Sequence, residues 1–317
     1  MFDPYLTGEP TEVAPQPSEG PAPDTAPVAV PIGDVVTDAL RRAAESFLAH
    51  DSDRTTDSRD AEDLHASRVA LRRIRSLLRT FRAVVEPEWA AAARGDIGWF
   101  SQLLGEVRNL DVLALRIAVH VEANTDPEAL ESLLAAVALT RSDVTFRLAS
   151  ARVLPRYGTV LDHVDRLAAG RPPLTARAED ESRAALGSLL RRPWRNVRAA
   201  ARRARQSPTE ANLHALRIRS KELRYAAELA SGVFGEHAAQ LAATAAAVQD
   251  RLGDHRDALA AEAFLTRVAG ERLECAFVAG QLVVIERLAG TRSLHGLGKE
   301  LATLKRRWKA FDRPLTA

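Results

Sequence analysis

Residues 64–82 read "LHASRVALRRIRSLLRTFR", and the spacing within this stretch sets both the fold class and the chemistry of the chain. Six of its nineteen residues are arginine, and no acid occurs between His65 and Val85. On a helix turning ~100° per residue, His65, Arg68, Arg72, Arg75, Arg79 and Arg82 share a sector about 100° wide. Leu71, Ile74, Leu77, Leu78, Phe81 and Val85 fall on an adjoining face, which must point into a core. A helix face kept only for solubility intersperses acids among its bases, and this one does not. Like charges at i,i+3 and i,i+4 cost ~0.2–0.5 kcal/mol per pair, so the four pairs from Arg68 to Arg82 cost about 1–2 kcal/mol unless acids on other helices relieve them. The stripe fits a polyanion-binding face better than a salt-bridged structural one.

The phrase recurs. "LHALRIRSKELRY" at residues 213–225 repeats it 149 positions later and aligns Arg68 with Arg217, Arg72 with Lys221 and Arg75 with Arg224. His214, Arg217, Lys221 and Arg224 again share one sector, with Leu216 and Leu223 beside it. A second pair, "LGEVRN" at 104–109 and "LGDHRD" at 252–257, follows in the same order at nearly the same spacing. The chain therefore reads as two related halves, each an antiparallel helical bundle, packed about a pseudo-two-fold axis.

The rest of the 317 residues agrees with an all-α fold. Alanine, leucine and arginine dominate, while β-branched and aromatic residues are sparse. Period-two alternation is absent. The patterns predict helices over about 34–50, 61–86, 88–104, 109–122, 128–150 and 156–168, a break at Gly170-Arg171-Pro172-Pro173, then helices over about 175–205, 208–233, 236–252, 255–269, 271–288 and 292–311. Ser207-Pro208-Thr209-Glu210 has the capping-box form, with proline at the first helical position. In the two Leu-Gly segments the glycine suits a helix C-terminus, with Asn109 or Asp257 capping the next helix and Arg108 and Arg256 projecting from the bend. The expected organisation is a proline-rich acidic leader over 1–33, a first half over 34–170 and a second over 171–317.

Charge is unevenly placed. The leader holds five acids and no base, so the body carries 44 basic against 37 acidic side chains, and only four of the 44 are lysine. Arginine presents a planar fork that matches phosphate and carboxylate oxygens in pairs. Arg195, Arg198, Arg202 and Arg205 repeat the one-face spacing on a third helix, and Lys305, in "LKRRWK", adds charge at the rim. The single Cys275 excludes a disulfide framework or a cysteine-rich zinc site. No H-x-x-x-H, HExxH or Cys/His cluster supports a metal, so no cofactor is expected. No apolar run approaches the ~18 residues needed to span a bilayer, and no secretory signal is recognisable. A cytoplasmic protein is expected.

Successive arginines along a helix stand ~5.4 Å apart per turn, a ladder suited to a linear, repeating anion. The motif faces lack the aromatic interleaving that stacks single-stranded bases, which makes nucleic acid an unfavoured partner. His65 and His214, each opening a stripe, would gain proton occupancy beside phosphates.

With these motifs in hand, the sequence resembles the CHAD family, the conserved histidine α-helical domains. "LHASRVALRRIRSLLRTF" and "LHALRIRSKELRYAAEL" are similar to the family's two histidine motifs, and "LGEVRNLDVL" and "VQDRLGDHRDA" to further family segments, the likeness spanning about 34–311. It implies two pseudo-symmetric helical bundles forming one compact domain, whose basic central cavity binds inorganic polyphosphate. By the motif match His65, Arg68, Arg72, Arg73, Arg75, His214, Arg217, Lys221 and Arg224 inherit the binding role. Some similar members associate with polyphosphate granules. Many members also carry an N-terminal CYTH domain with an E-x-E-x-K motif, which this sequence lacks, so no phosphatase activity is carried over. Glu222 lies inside the second motif and lowers its potential, and Arg219 projects onto the core side of an ideal helix.

The expectation is a non-enzymatic polyphosphate-binding module using those residues together with Arg79, Arg108, Arg195, Arg198, Arg202, Arg256 and Lys305. The rivals are an enzyme acting on phosphate esters or anhydrides, with His65 or His214 as general acid and Asp111 or Asp257 nearby, and a general polyanion or nucleic-acid scaffold. The sequence does not fix the oligomeric state.

Overall fold

A computed structural model describes residues 30–51, 61–119 and 126–313. Residues 1–29, most of the acidic leader, lie outside the described residues. The elements are α1 (Ile32–Asp51), α2 (Ala61–Thr80), α3 (Pro87–Ala118), α4 (Pro127–Arg152), α5 (Pro155–Ala168), a 3-10 turn at Ala176–Glu179, α6 (Ser182–Gln206), α7 (Glu210–Phe234), α8 (Glu236–Glu271), a 3-10 turn at Leu273–Cys275, α9 (Ala276–Leu294) and α10 (Leu297–Asp312). Among the described residues no strand is formed beyond two isolated bridges, Pro31 with Glu181 and Val85 with Leu174.

Helix starts follow local chemistry. Proline opens α3, α4 and α5, where its missing N–H leaves no bond unmade, and Asp126 caps α4 by accepting from the Ala129 N–H at 3.0 Å. α7 departs from the expected capping box. Its cap is Thr209, accepting from the Asn212 N–H at 3.3 Å, while Ser207 instead ends α6 by donating its N–H to the Arg203 carbonyl.

The apolar face of α2 is buried as its spacing requires. Leu71, Ile74, Leu77, Leu78, Phe81 and Val85 join one core with α1, α3, α5, α6, α7, α8 and α10. A smaller cluster fills the far tip, where Leu113 and Ile117 of α3 meet Leu133 and Val137 of α4, Leu265 of α8 and Leu282 of α9. The two halves thus share a core, and their elements recur in order, α1–α5 against α6–α10. The Gly-Arg-Pro-Pro break is tied down on both sides. Gly170 adopts φ +66°, Glu86 N–H donates to Pro173 O, and Thr175 N–H donates to Val84 O. Residues 30–33, at the end of the expected leader, are also ordered by pairing. Ile32 N–H donates to Asp180 O at 2.9 Å, Ser182 N–H donates to Val30 O at 3.0 Å, and Ile32 is fully buried.

Two expected breaks are absent. α3 runs through Gly105 and α8 through Gly253, so neither glycine ends a helix and neither Asn109 nor Asp257 caps one. The reason lies in what packs against them.

Candidate anion-binding site

α2 and α7 carry the two histidine motifs, and they pack with their basic rows facing each other. Arg72 Nε donates to Tyr225 Oη at 3.0 Å, and Arg79 Nη1 donates to Glu222 Oε1 at 2.9 Å, each bond crossing from one half to the other. Two cavities lie along this seam. One of about 200 Å³ is lined by Arg72, Arg75, Ser76, Arg79, Ile218, Lys221 and Glu222. The next, of about 300 Å³, shares Arg79 and Glu222 and adds Arg82, Arg94, Arg192, Asn196 and Arg219. At the histidine end, His214, Arg217, His255 and Arg256 line a narrow cleft. From His65 to Arg79 the row extends roughly 21 Å along α2, and Arg82 follows in the turn beyond it.

The Leu-Gly motifs supply the cradle for the arginines. A Cβ at Gly105 would stand 3.3 Å from Arg68 Nε, and one at Gly253 would stand 3.6 Å from Arg217 Nε. The two contacts are equivalent across the halves, glycine of α3 under the α2 arginine and glycine of α8 under the α7 arginine. Gly98 does the same for Arg75, whose guanidinium atoms lie 3.1–3.2 Å from the Cβ position. These glycines stay inside helices because a guanidinium lies across each, and a side chain there would push it outward.

Burial and like charge make the channel electrostatically costly. Lys221 is pushed down to about 6, first by burial and then by Arg72, Arg217, Arg68 and Arg75. Arg68 is pushed down to about 10 by burial, then by Arg72 and Arg217, with Asp257 acting the other way. Burial likewise lowers Arg75, Arg94 and Arg217. His65 is lowered by burial and then Arg108, and His214 by burial and then Arg256, so both favour the neutral ring. Arg256 reaches the His214 ring directly, its Nη1 2.7 Å from Nδ1.

Carboxylates answer part of this charge. Glu222, buried, is held by Arg79 and by Arg219, whose Nη1 lies 2.9 Å from Oε2. Glu228 pairs with Arg224 at 2.7 Å and lies 3.8 Å from Arg73. Arg68, Arg72, Arg75, Arg217 and Lys221 have no carboxylate within 4.0 Å among the described residues, and Arg217 Nε is buried without a hydrogen-bond partner.

The structure therefore brings His65, Arg68, Arg72, Arg75, Arg79, Arg108, His214, Arg217, Lys221 and Arg256 together, with Arg73 and Arg224 at the edge in ion pairs. It places Arg195 on the exposed side of α6, and Arg198, Arg202 and Lys305 on a different cavity between α6 and α10. The polar α6 residues that line the channel are Arg192 and Asn196, with Pro193 between them. Arginines lie nearly all round α6, so spacing alone does not choose the facing side. Arg219, Arg94 and Arg82 also line the channel. Arg219 departs from the core-side position of an ideal helix by reaching Glu222, whereas Arg94 belongs to no motif and carries no signal in sequence.

Comparison with known proteins adds to this geometry. A family model described as CHAD domain matches residues 38–266. Two relatives from Mycobacterium tuberculosis, the uncharacterized proteins MT2285 and Rv2226, are each 28% identical over 251 residues, covering 75% of this chain and 46% of the relative. The chain thus spans about half the length of these curated relatives. Among solved structures, PptA from Streptomyces chartreusis shares the fold at TM-score 0.69 and 22% identity, over 86% of this chain and 99% of that one. The CHAD domain from the plant Ricinus communis matches at TM-score 0.69 and 24% identity, over 87% and 92%.

Proposed function

The chain belongs to the CHAD family, and from that premise we propose that it binds inorganic polyphosphate, without chemistry on it, along the channel between α2 and α7. One observation carries the reading. Five half-buried cations, Arg68, Arg72, Arg75, Arg217 and Lys221, face one another across the seam with no carboxylate within 4.0 Å among the described residues, Asp257 acting on Arg68 and Arg217 only from farther off. A buried row of like charges is tolerable when an anion completes it. Guanidinium forks grip phosphoryl oxygens in pairs, and the ladder meets a linear ligand turn by turn. Tyr225, which Arg72 engages, is buried and so offers no stacking platform for bases. A purely binding role is supported by three acids that are already engaged; Asp257, near Arg68 and Arg217, is not among them. Glu222 and Glu228 are held in ion pairs, and Asp111 is clasped by Arg141 at 2.7 Å. In a cell that makes polyphosphate granules, such a channel would bring the protein to them.

The test is the triple variant Arg68→Ala/Arg72→Ala/Arg217→Ala. It is expected to keep the helical circular-dichroism spectrum and lose retention of long-chain polyphosphate. For the parent protein, log affinity falls steeply and linearly with log salt as phosphate counterions are released. A folded triple variant that retains polyphosphate, or duplex DNA that displaces it at matched phosphate concentration, refutes the proposal. Release of orthophosphate from polyphosphate on adding Mg²⁺ would show an enzyme instead.

A further inference from the structure

The arginines on the third helix open a second site of different chemistry. Between α6, the start of α7 and α10 lies a cavity of about 520 Å³, within the ~300–1,000 Å³ usual for small-molecule pockets. Its floor is apolar, with Trp194 and Leu213 buried beneath Leu297 and Leu301. Trp194 is held flat by a stacked Trp308, ring centroids 5.1 Å apart. Its rim is cationic. Arg198, Arg202 and Arg205 line one side at i, i+4 and i+7, with Lys305 from α10, and all four are exposed. No Asp or Glu lines the cavity, and none of the four has a carboxylate within 4.0 Å among the described residues. Arg191 of α6, which pairs with Asp312 at 3.5 Å, lies outside it.

We propose that this groove binds an amphiphilic anion, a single acidic headgroup on a linear hydrocarbon chain, with the chain on the Trp194–Leu301 floor and the headgroup among the rim cations. The two halves of the lining select such a molecule together. Polyphosphate has no apolar part and would leave the floor wet, while a neutral hydrocarbon would leave the row of cations unanswered. At roughly 25 cal/mol per Å² of apolar surface covered, a chain seated on that floor supplies the larger share of affinity. The rim supplies selectivity for an anion and fixes which end of the ligand faces solvent. The site is independent of the channel between α2 and α7 and does not rest on the polyphosphate reading.

Dodecanoate, added below its micellar concentration to the full chain, is the probe, with tryptophan emission as the signal. Saturable binding at least about tenfold tighter than that of dodecanol is expected, since the headgroup's charge-assisted hydrogen bonds are lost in the alcohol. Arg198→Ala/Arg202→Ala should weaken dodecanoate by a similar factor and leave dodecanol unchanged. Ala302→Trp, which fills the groove from an exposed position, should abolish binding of both. Excess long-chain polyphosphate should leave dodecanoate bound. Equal affinity for acid and alcohol, binding that survives Ala302→Trp, or displacement by polyphosphate at equivalence would overturn the proposal. None of these outcomes touches retention of polyphosphate in the channel, so the two readings fail separately.

Discussion

Polyphosphate binding should draw protons from solution, and Lys221 should be their main destination. Burial and four arginines hold Lys221 at about 6 in the channel. Phosphates lying against it remove that repulsion and return it toward its ordinary 10.5. The sign follows directly. Below pH 6 the lysine is already charged and binding takes up little, whereas above pH 6 each binding event must first protonate it, and affinity falls. From this one group the affinity drops roughly 50-fold between pH 6 and pH 8, and uptake at pH 8 approaches one proton. His65 and His214, lowered for the same reasons, act in the same direction. Titration calorimetry in buffers of different ionisation enthalpy counts the protons. Lys221→Arg, charged at every pH in this range, should keep binding but reduce the uptake by about one and flatten the slope. An affinity that is level from pH 6 to pH 8, or an uptake unchanged in Lys221→Arg, would show that the lysine does not sit among the bound phosphates.

Other outcomes follow from the same geometry. Without ligand, the unfolded chain keeps a proton on Lys221 up to 10.5 while the folded chain loses it near 6, so this group makes stability rise with pH across that window. Urea midpoints at pH 6.5 and pH 9 should show the rise, and Lys221→Met should remove it. Gly105→Ala should weaken polyphosphate binding by displacing Arg68, yet leave stability level or higher by up to ~1 kcal/mol, because alanine favours a helix interior. Gly253→Ala, whose Cβ meets Arg217 at ordinary contact distance, should do less to binding, as paired titrations and melts would show. Glu222→Gln should free Arg79 and Arg219 for the ligand and tighten binding, at a stability cost of about 1–3 kcal/mol read from urea unfolding.

How much of this was legible in sequence depends on whether a feature is local. The core face of α2 was, because Leu71, Ile74, Leu78 and Phe81 recur at the helical period and burial had to follow. The facing stripe was legible for the same reason, and the internal repeat placed its counterpart on α7. The two Leu-Gly segments were visible as a repeat but not in their role. A glycine that ends a helix and one that admits a guanidinium look alike along the chain. Only Arg68 and Arg217, arriving from other helices, distinguish them.

Arg192 and Arg198 make the same point at the site. They differ by six positions on a helix rich in arginine, and nothing in their spacing separates a channel residue from one on an apolar groove. The contacts of α6 decide it, setting Arg192 beside Arg79 and Arg94, and Arg198 above Trp194. Charge state is likewise a property of the assembled protein, since a lysine at 221 titrates normally until burial strips water from around it and its arginine neighbours repel its charge. The sequence by itself determined the helices, their duplicated order and the signs of their faces, because these depend on intervals of three and four residues. Which faces met, which cations were left without a counterion and which glycines had to stay bare were decided by the tertiary structure, because each depends on atoms that distant parts of the chain bring within a few ångströms.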